Sequence, residues 1–324
     1  MRRLRLALLA APLLAAFAAP APVVAQAWPD RPVTIISNFG PGSSQDVLAR
    51  LLAPKLQAAW GQPVVVNNVV GAAGTIGVER GARATDGHTI VLSGDAAIVV
   101  RVSMPPRLPY DPLRDLSPIT LLGRTPNVLV VGNSVPVQTL AELVAMARNR
   151  PGSVTFAHAG PGTSQHIGGE MLAQMAGLEM TAVAYNEPAS QIQDVLTGRV
   201  TFSFNSGVVA LPRLADGSWR ALAVSSPARM LAAPNLPTVA ELGYPGFDAT
   251  AWLGLFAPAA MPPANIAIIH RAAVAALAEA DVRARLETLG VEIVGSSPAE
   301  LRALIEREIP RMAGVLSRAG IRPE

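Results

Sequence analysis

Cysteine is absent from the 324 residues. That excludes disulfides, cysteine zinc sites and thiol nucleophiles at once. Lysine is nearly absent too: Lys55 is the only one, and arginine carries the remaining positive charge. Histidine occurs four times, as His88, His158, His166 and His270. No pair has H-E-x-x-H spacing and no acidic calcium loop is present, so no metal site is expected. There is no G-x-S-x-G elbow and no G-x-x-x-x-G-K-[ST] phosphate loop, and Gly160 to Gln165 begins like G-x-G-x-x-G but ends in Gln. No cofactor is implied, and no set of acid, base and nucleophile stands out. Blocks of like charge are missing as well. The 26 basic residues exceed the 23 acidic ones by the three leader arginines Arg2, Arg3 and Arg5. The remainder is balanced and gives no footprint for nucleic acid.

What is present begins with that leader. Three arginines precede a Leu/Ala-rich stretch from Leu6 to Ala19, which closes on Ala25-Gln26-Ala27. This is the layout of a secretory signal peptide over 1–27. Pro12 and Pro20 interrupt an apolar run already short for a membrane span. The mature chain is expected to start at Trp28, in the periplasm. It must be stable by core packing alone, which its length and 50% hydrophobic content allow.

Strand and helix patterns then alternate. Val33 to Ser37 reads as a strand, and Asp46 to Ala59 as a helix with Val47, Leu48, Leu51, Leu52 and Leu56 on one face. Pro63 to Val66 and Thr89 to Leu92 follow as strands. Val128–Val131, Val154–Ala157, Val183–Tyr185, Val200–Phe204 and Ala221–Val224 are further strands. Helices are expected at Thr139–Asn149, Gln165–Ala176, Ala189–Thr197, Pro263–Glu279, Asp281–Leu289 and Pro298–Ala319. This order is the signature of βαβ units. So many strands suit two α/β sheets better than one. Chain crossings are expected near Leu121–Asn127 and Val224–Ala232, where Pro and polar residues gather. The expected division is 28–123 plus 228–324 for a discontinuous first domain, and 124–227 for the second.

Three small-residue loops follow a strand and open a helix: Gly42-Ser43-Ser44, Gly71-Ala72-Ala73-Gly74 and Gly162-Thr163-Ser164. Helix N-termini leave backbone N–H groups without partners and carry partial positive charge. Small residues let an anion approach, and hydroxyls add donors. Gly42, Ser43, Ser44, Ala72, Ala73, Gly74, Gly162, Thr163 and Ser164 are therefore candidate binders of a carboxylate or phosphate. His166 is a candidate ligand-side or loop-bracing donor, although a bond to local backbone is the commoner role at a helix start. Tyr185 and Asn205 end strands and could reach a cleft between the sheets. Trp252 reads as a core residue.

At these loops the sequence resembles the Bug-type extracytoplasmic receptors of tripartite tricarboxylate transporters. Stretches such as Trp28-Pro29-Asp30-Arg31-Pro32, Gly40-Pro41-Gly42-Ser43-Ser44-Gln45-Asp46, Asp86-Gly87-His88-Thr89, Gly162-Thr163-Ser164-Gln165-His166 and Leu236-Pro237-Thr238-Val239 carry the likeness over the whole mature chain. The resemblance implies a two-domain α/β periplasmic binding protein (type II, Venus flytrap) that closes on a small organic acid. It also implies membrane transporter subunits as partners; a monomer is expected. An exported enzyme acting on an organic acid, or an accessory that presents ligand to a membrane sensor kinase, are the alternatives. Where the family usually has Phe-Asp-Asn, this chain has Phe204-Asn205-Ser206. Asn205 cannot offer charge to an ammonium, so a di-, tri- or aromatic carboxylate without an amine is the expected ligand.

Overall fold

The structure, a computed structural model, describes residues 28–104 and 106–318. The signal-peptide reading of 1–27 lies outside the described residues. The chain first builds β1 (Val33–Ser37), α1 (Ser44–Trp60), β2 (Val64–Asn68), α2 (Thr75–Ala82), β3 (Thr89–Gly94) and β4 (Leu116–Thr125). It then builds β5 (Asn127–Gly132), α3 (Leu140–Asn149), β6 (Thr155–His158), α4 (Ser164–Ala176), β7 (Thr181–Ala184), α5 (Pro188–Thr197), β8 (Phe202–Ser206), α6 (Gly207–Ala215) and β9 (Trp219–Val224). It ends with β10 (Ala251–Pro258), α7 (Pro263–Ala278), α8 (Ala280–Thr288), β11 (Glu292–Ile293) and α9 (Pro298–Arg318). No helix among the described residues is long and apolar enough to cross a membrane.

The strands form two mixed sheets, ordered β11-β4-β10-β3-β1-β2 and β7-β6-β8-β5-β9. Read from opposite ends, β4-β10-β3-β1-β2 and β9-β5-β8-β6-β7 are the same arrangement. In each, three parallel strands joined by helices meet a fourth strand antiparallel to them. This is the two-domain α/β architecture expected. The faces of each sheet are covered by separate cores. Val33 and Ile35 of β1 pack with Leu48, Leu52 and Leu56 of α1. Ile36 turns to the opposite face, with Val78 of α2 and Leu301 and Ile305 of α9. Each fully buried Leu or Ile contributes about 1.5–3 kcal/mol.

Ser43 caps α1 by accepting from the Asp46 N–H, and Gly61 ends it in a left-handed conformation.

Four elements escape the sequence pattern, β10 among them, whose residues read only as an apolar run after Trp252. β4 carries Pro118 and Gly123, which argue against a strand; Pro118 pairs with Phe256 beside a register shift, where a missing N–H is tolerated. α6 opens on Gly207 and holds Pro212, so nothing in its composition announces a helix. The two-residue β11 is too short to read. The crossings also differ in detail. β4 runs to Thr125, so the first crossing is confined to Pro126. After β9 the chain stays with the second sheet: Val239, Phe247 and Ala249 pack into its core, and Asn127 Nδ2 donates to Ala249 O at 2.7 Å. Only at Thr250 does it return to the first sheet.

Candidate functional site

Ligands of open α/β sheets sit beyond the carboxyl ends of the strands. Here the ends of β1 and β3 in one lobe face those of β6 and β8 in the other, across a cavity of about 90 Å3.

The loops after β1 and β6 are near-copies of each other. Gly40-Pro41-Gly42-Ser43-Ser44-Gln45 matches Gly160-Pro161-Gly162-Thr163-Ser164-Gln165. Gly42 and Gly162 have φ of 82° and 81°, which only glycine adopts at little cost. Ser43 N donates to Gly40 O at 3.2 Å, and Thr163 N to Gly160 O at 3.3 Å. Each hydroxyl then caps its helix, Ser43 Oγ accepting from Asp46 N and Thr163 Oγ1 from His166 N. The residue after the Gln closes the turn from inside: Gly42 N donates to Asp46 Oδ2 at 3.0 Å, and Gly162 N to His166 Nδ1 at 3.3 Å. Two helix N-termini are thereby aimed into one cavity, with Ser43, Ser44, Gln45, Thr163, Ser164 and Gln165 in its wall.

The lobes also touch directly. Ser44 Oγ and Ser206 Oγ lie 2.6 Å apart. A Cβ built on Gly160 would come within 3.3 Å of Ala73 Cβ.

Asn205, 1% exposed at the end of β8, is the most informative side chain. A backbone N–H can only donate, so Ala159 N fixes Gln165 Oε1 as acceptor at 2.9 Å. Gln191 Nε2 donates to the same oxygen at 3.0 Å, and to Ser203 Oγ at 3.0 Å. Gln165 must therefore present Nε2 to Asn205, whose Oδ1 accepts at 3.3 Å. The remaining Asn205 group, Nδ2, is a buried donor without a partner. Such a group costs about 1–3 kcal/mol unless something accepts from it. The orientation follows from the network rather than from a choice of amide flip.

Among the described residues no Lys, Arg or His stands in the wall, and Asp95, just past β3, is its one ionisable residue. Burial first, and Glu308 in addition, push its carboxyl up to about 7 against backbone N–H groups of Ala96 and Trp252 that hold it down. The cavity can thus receive an acceptor-rich ligand through neutral donors and helix ends, with apolar contacts from Phe39, Ile192, Val209 and Leu253.

Of the candidates named from sequence, Ser43, Ser44, Thr163, Ser164 and Asn205 come together in this wall. Gly42 and Gly162 do not line it, and their N–H groups are already used within their own turns. Ala72, Ala73 and Gly74 form a 3-10 turn set against Gly160, a lobe contact outside the wall. His166 braces its loop as an acceptor; burial first and His158 second lower its pKa to about 4. Tyr185 turns away, its hydroxyl donating to Asp194 Oδ2 at 2.7 Å; burial and that contact raise its pKa to about 12. Gln45, Gln191, Asp95 and Ser206 were not singled out. The shared Gln of the twin loops, and the position of Asp95 and Ser206 at strand ends, are the signals that would have found most of them.

The family profile described as tripartite tricarboxylate transporter family receptor (TctC) matches residues 48–321. BugT of Bordetella pertussis is 37% identical over 302 residues, 93% of each chain. An R. palustris structure with adipate aligns at a TM-score of 0.89 and 32% identity, covering 92% of this chain and 100% of that one. MatC from Rhodopseudomonas palustris, with bound malate, aligns at 0.84 and 31%, covering 89% and 100%.

Proposed function

Because the chain belongs to the tripartite tricarboxylate transporter receptor family, we propose that it is an exported, monomeric receptor that captures a small di-, tri- or aromatic carboxylate between its lobes and delivers it to membrane-embedded transporter subunits. Members of the family are solute-binding receptors rather than enzymes. The observation that carries the ligand class is the unpartnered Nδ2 of Asn205, buried in a wall that also holds two helix N-termini. A carboxylate would accept from Nδ2 and from the N–H and hydroxyl groups of Ser44 and Ser164. Adipate and malate in the structural relatives belong to the same class. The leader over 1–27 supports export. The proposed lobes are 28–125 with 251–318, and 126–249, with Pro126 and Thr250 as the links.

The test is a thermal-shift and calorimetric screen of the mature protein against carboxylates, amino acids and sugars. A ligand of the folded state adds about 2.7 kcal/mol at a hundredfold excess over Kd. Stabilisation by one class of carboxylate, recovered unchanged, is the expected result. Consumption of the compound would assign an enzyme, and stabilisation by sugars alone would remove the carboxylate reading.

A further inference from the structure

Asp95 is 8% exposed and stands between two cavities. One is the site above. The other, about 30 Å3, shares Asp95 and Ser164 with it and is also lined by Asp248, Thr250, Trp252, Glu308 and Arg311 among others. The charged groups around this smaller cavity are Asp248, from the segment before β10, and Glu308 and Arg311, both on α9. Arg311 is committed to Glu308, with Nη2 2.6 Å from Oε2. From the ligand side Asp95 meets only amides, hydroxyls and apolar groups. Asp95 accepts from the backbone N–H groups of Ala96 and Trp252 but faces no cation, so burial leaves its carboxyl poised between holding a proton and meeting a cationic ligand.

The rest of the wall decides between the two. One carboxylate of a ligand is served by the helix ends and Asn205. A second acidic group in the same cavity finds no Lys, Arg or His among the described residues. It can be accommodated if Asp95 offers it an O–H, since two carboxyl groups at close range share one proton. Resting on the carboxylate-receptor reading, we propose that Asp95 is a specificity-determining residue that meets the second acidic group of the ligand as a neutral acid, so that each dicarboxylate is bound together with a proton. Dicarboxylates are then selected over monocarboxylates, which leave the O–H without an acceptor, and over amino acids, which need Asp95 ionised.

Simple dicarboxylates keep both charges above about pH 6. Their affinity should therefore be nearly flat below the pKa of Asp95 and fall about tenfold per pH unit above it. The experiment is calorimetry of the mature protein between pH 6 and 9, in buffers of differing ionisation enthalpy. The probes are straight-chain dicarboxylates of four to eight carbons, with the monocarboxylates and ω-amino acids of the same lengths. Uptake of close to one proton per dicarboxylate at pH 8–9 is expected, with a much smaller pH dependence for monocarboxylates. Asp95→Asn, whose amide donates at every pH, should bind dicarboxylates with a flat profile, and tighter than wild type at pH 9. Dicarboxylate binding without proton uptake overturns the inference and leaves the receptor reading intact. So does an ω-amino acid that binds more tightly as pH rises. Failure of every carboxylate at every pH overturns the receptor reading itself. The proton count on the wild-type protein decides the matter even where Asp95→Asn does not fold.

Discussion

The two Gly-Pro-Gly loops have one backbone and two chemistries. Both turn through a left-handed glycine and cap their helix with a hydroxyl, then tie the glycine N–H to the side chain after the Gln. In the first loop that side chain is Asp46, which also accepts from Arg50 Nε and Asn68 Nδ2, both at 2.9 Å. In the second it is His166, packed 4.5 Å from the His158 ring. The turn asks only for an acceptor at this place. Charge is decided by the neighbours: the first loop has a cation to pair with a carboxylate, and the second has aromatic rings that favour a neutral imidazole.

Asp46→Ala should break the first loop most severely. It leaves Gly42 N, Arg50 and Asn68 without their acceptor at a site 4% exposed. A loss of about 3 kcal/mol is expected in chemical denaturation, from three hydrogen bonds to one buried carboxylate at roughly 1.5–3 kcal/mol each, discounted because Gly42 and Arg50 are exposed and Asn68 Nδ2 keeps Phe39 O. The second loop should instead yield to acid. The pKa of His166 is about 4 in the folded protein against 6.5 for the free side chain. The unfolded chain therefore takes the proton first. Stability is full above about pH 6.5 and declines toward pH 4, by about 3 kcal/mol at 1.4 kcal/mol per unit. Glu170, 3.7 Å from Nε2, is itself pushed up by burial and offers little charge in return. His166→Asn, which keeps an acceptor, should flatten this limb of the pH–stability curve; an unchanged slope would place the titration elsewhere.

Asn205→Asp tests whether the second loop's network serves the ligand. It exchanges a free donor for an acceptor and adds charge. Carboxylate affinity should fall by about 30- to 100-fold, the worth of a hydrogen bond to a charged group, while the melting temperature without ligand changes little. The smallest effect separates the loops by surroundings alone. Gly42→Ala and Gly162→Ala both cost about 1 kcal/mol in backbone strain. A Cβ on Gly42 meets nothing within 4 Å, whereas one on Gly162 comes within 3.0 Å of Val100 Cγ1 and 3.2 Å of Met104 Sδ across the cleft. Equal melting temperatures but a further severalfold loss of ligand affinity for Gly162→Ala would show that the second loop also carries lobe contact.

The legible part of the molecule is the local part. The i, i+3, i+4 face of α1, the caps at Ser43 and Thr163 and the short apolar strands follow from neighbours in sequence, and all could be read there. Which loops face the ligand is not local. Gly71 to Gly74 has the composition of an anion loop, yet its turn is spent against Gly160 in the other lobe. Tyr185 was expected to end a strand as Asn205 does, but it follows the outer strand β7 and reaches Asp194 instead of the cavity. Asp95 follows its strand directly, but only the fold shows that this strand end faces the other lobe; the π-helical turn Ala96–Val100 after it leaves the carboxyl at the wall.

The links between the lobes bring a mechanical consequence. Thr125, the last residue of β4, is paired with Ala251, the first of β10. The two covalent connections thus leave the first lobe side by side, as one hydrogen-bonded ribbon. A ribbon of two strands behaves as a flexure: it yields by bending across its thin direction and resists shear and torsion. A parting of the lobes would therefore follow the bending coordinate of that ribbon, and the paired loops would meet again in the same register.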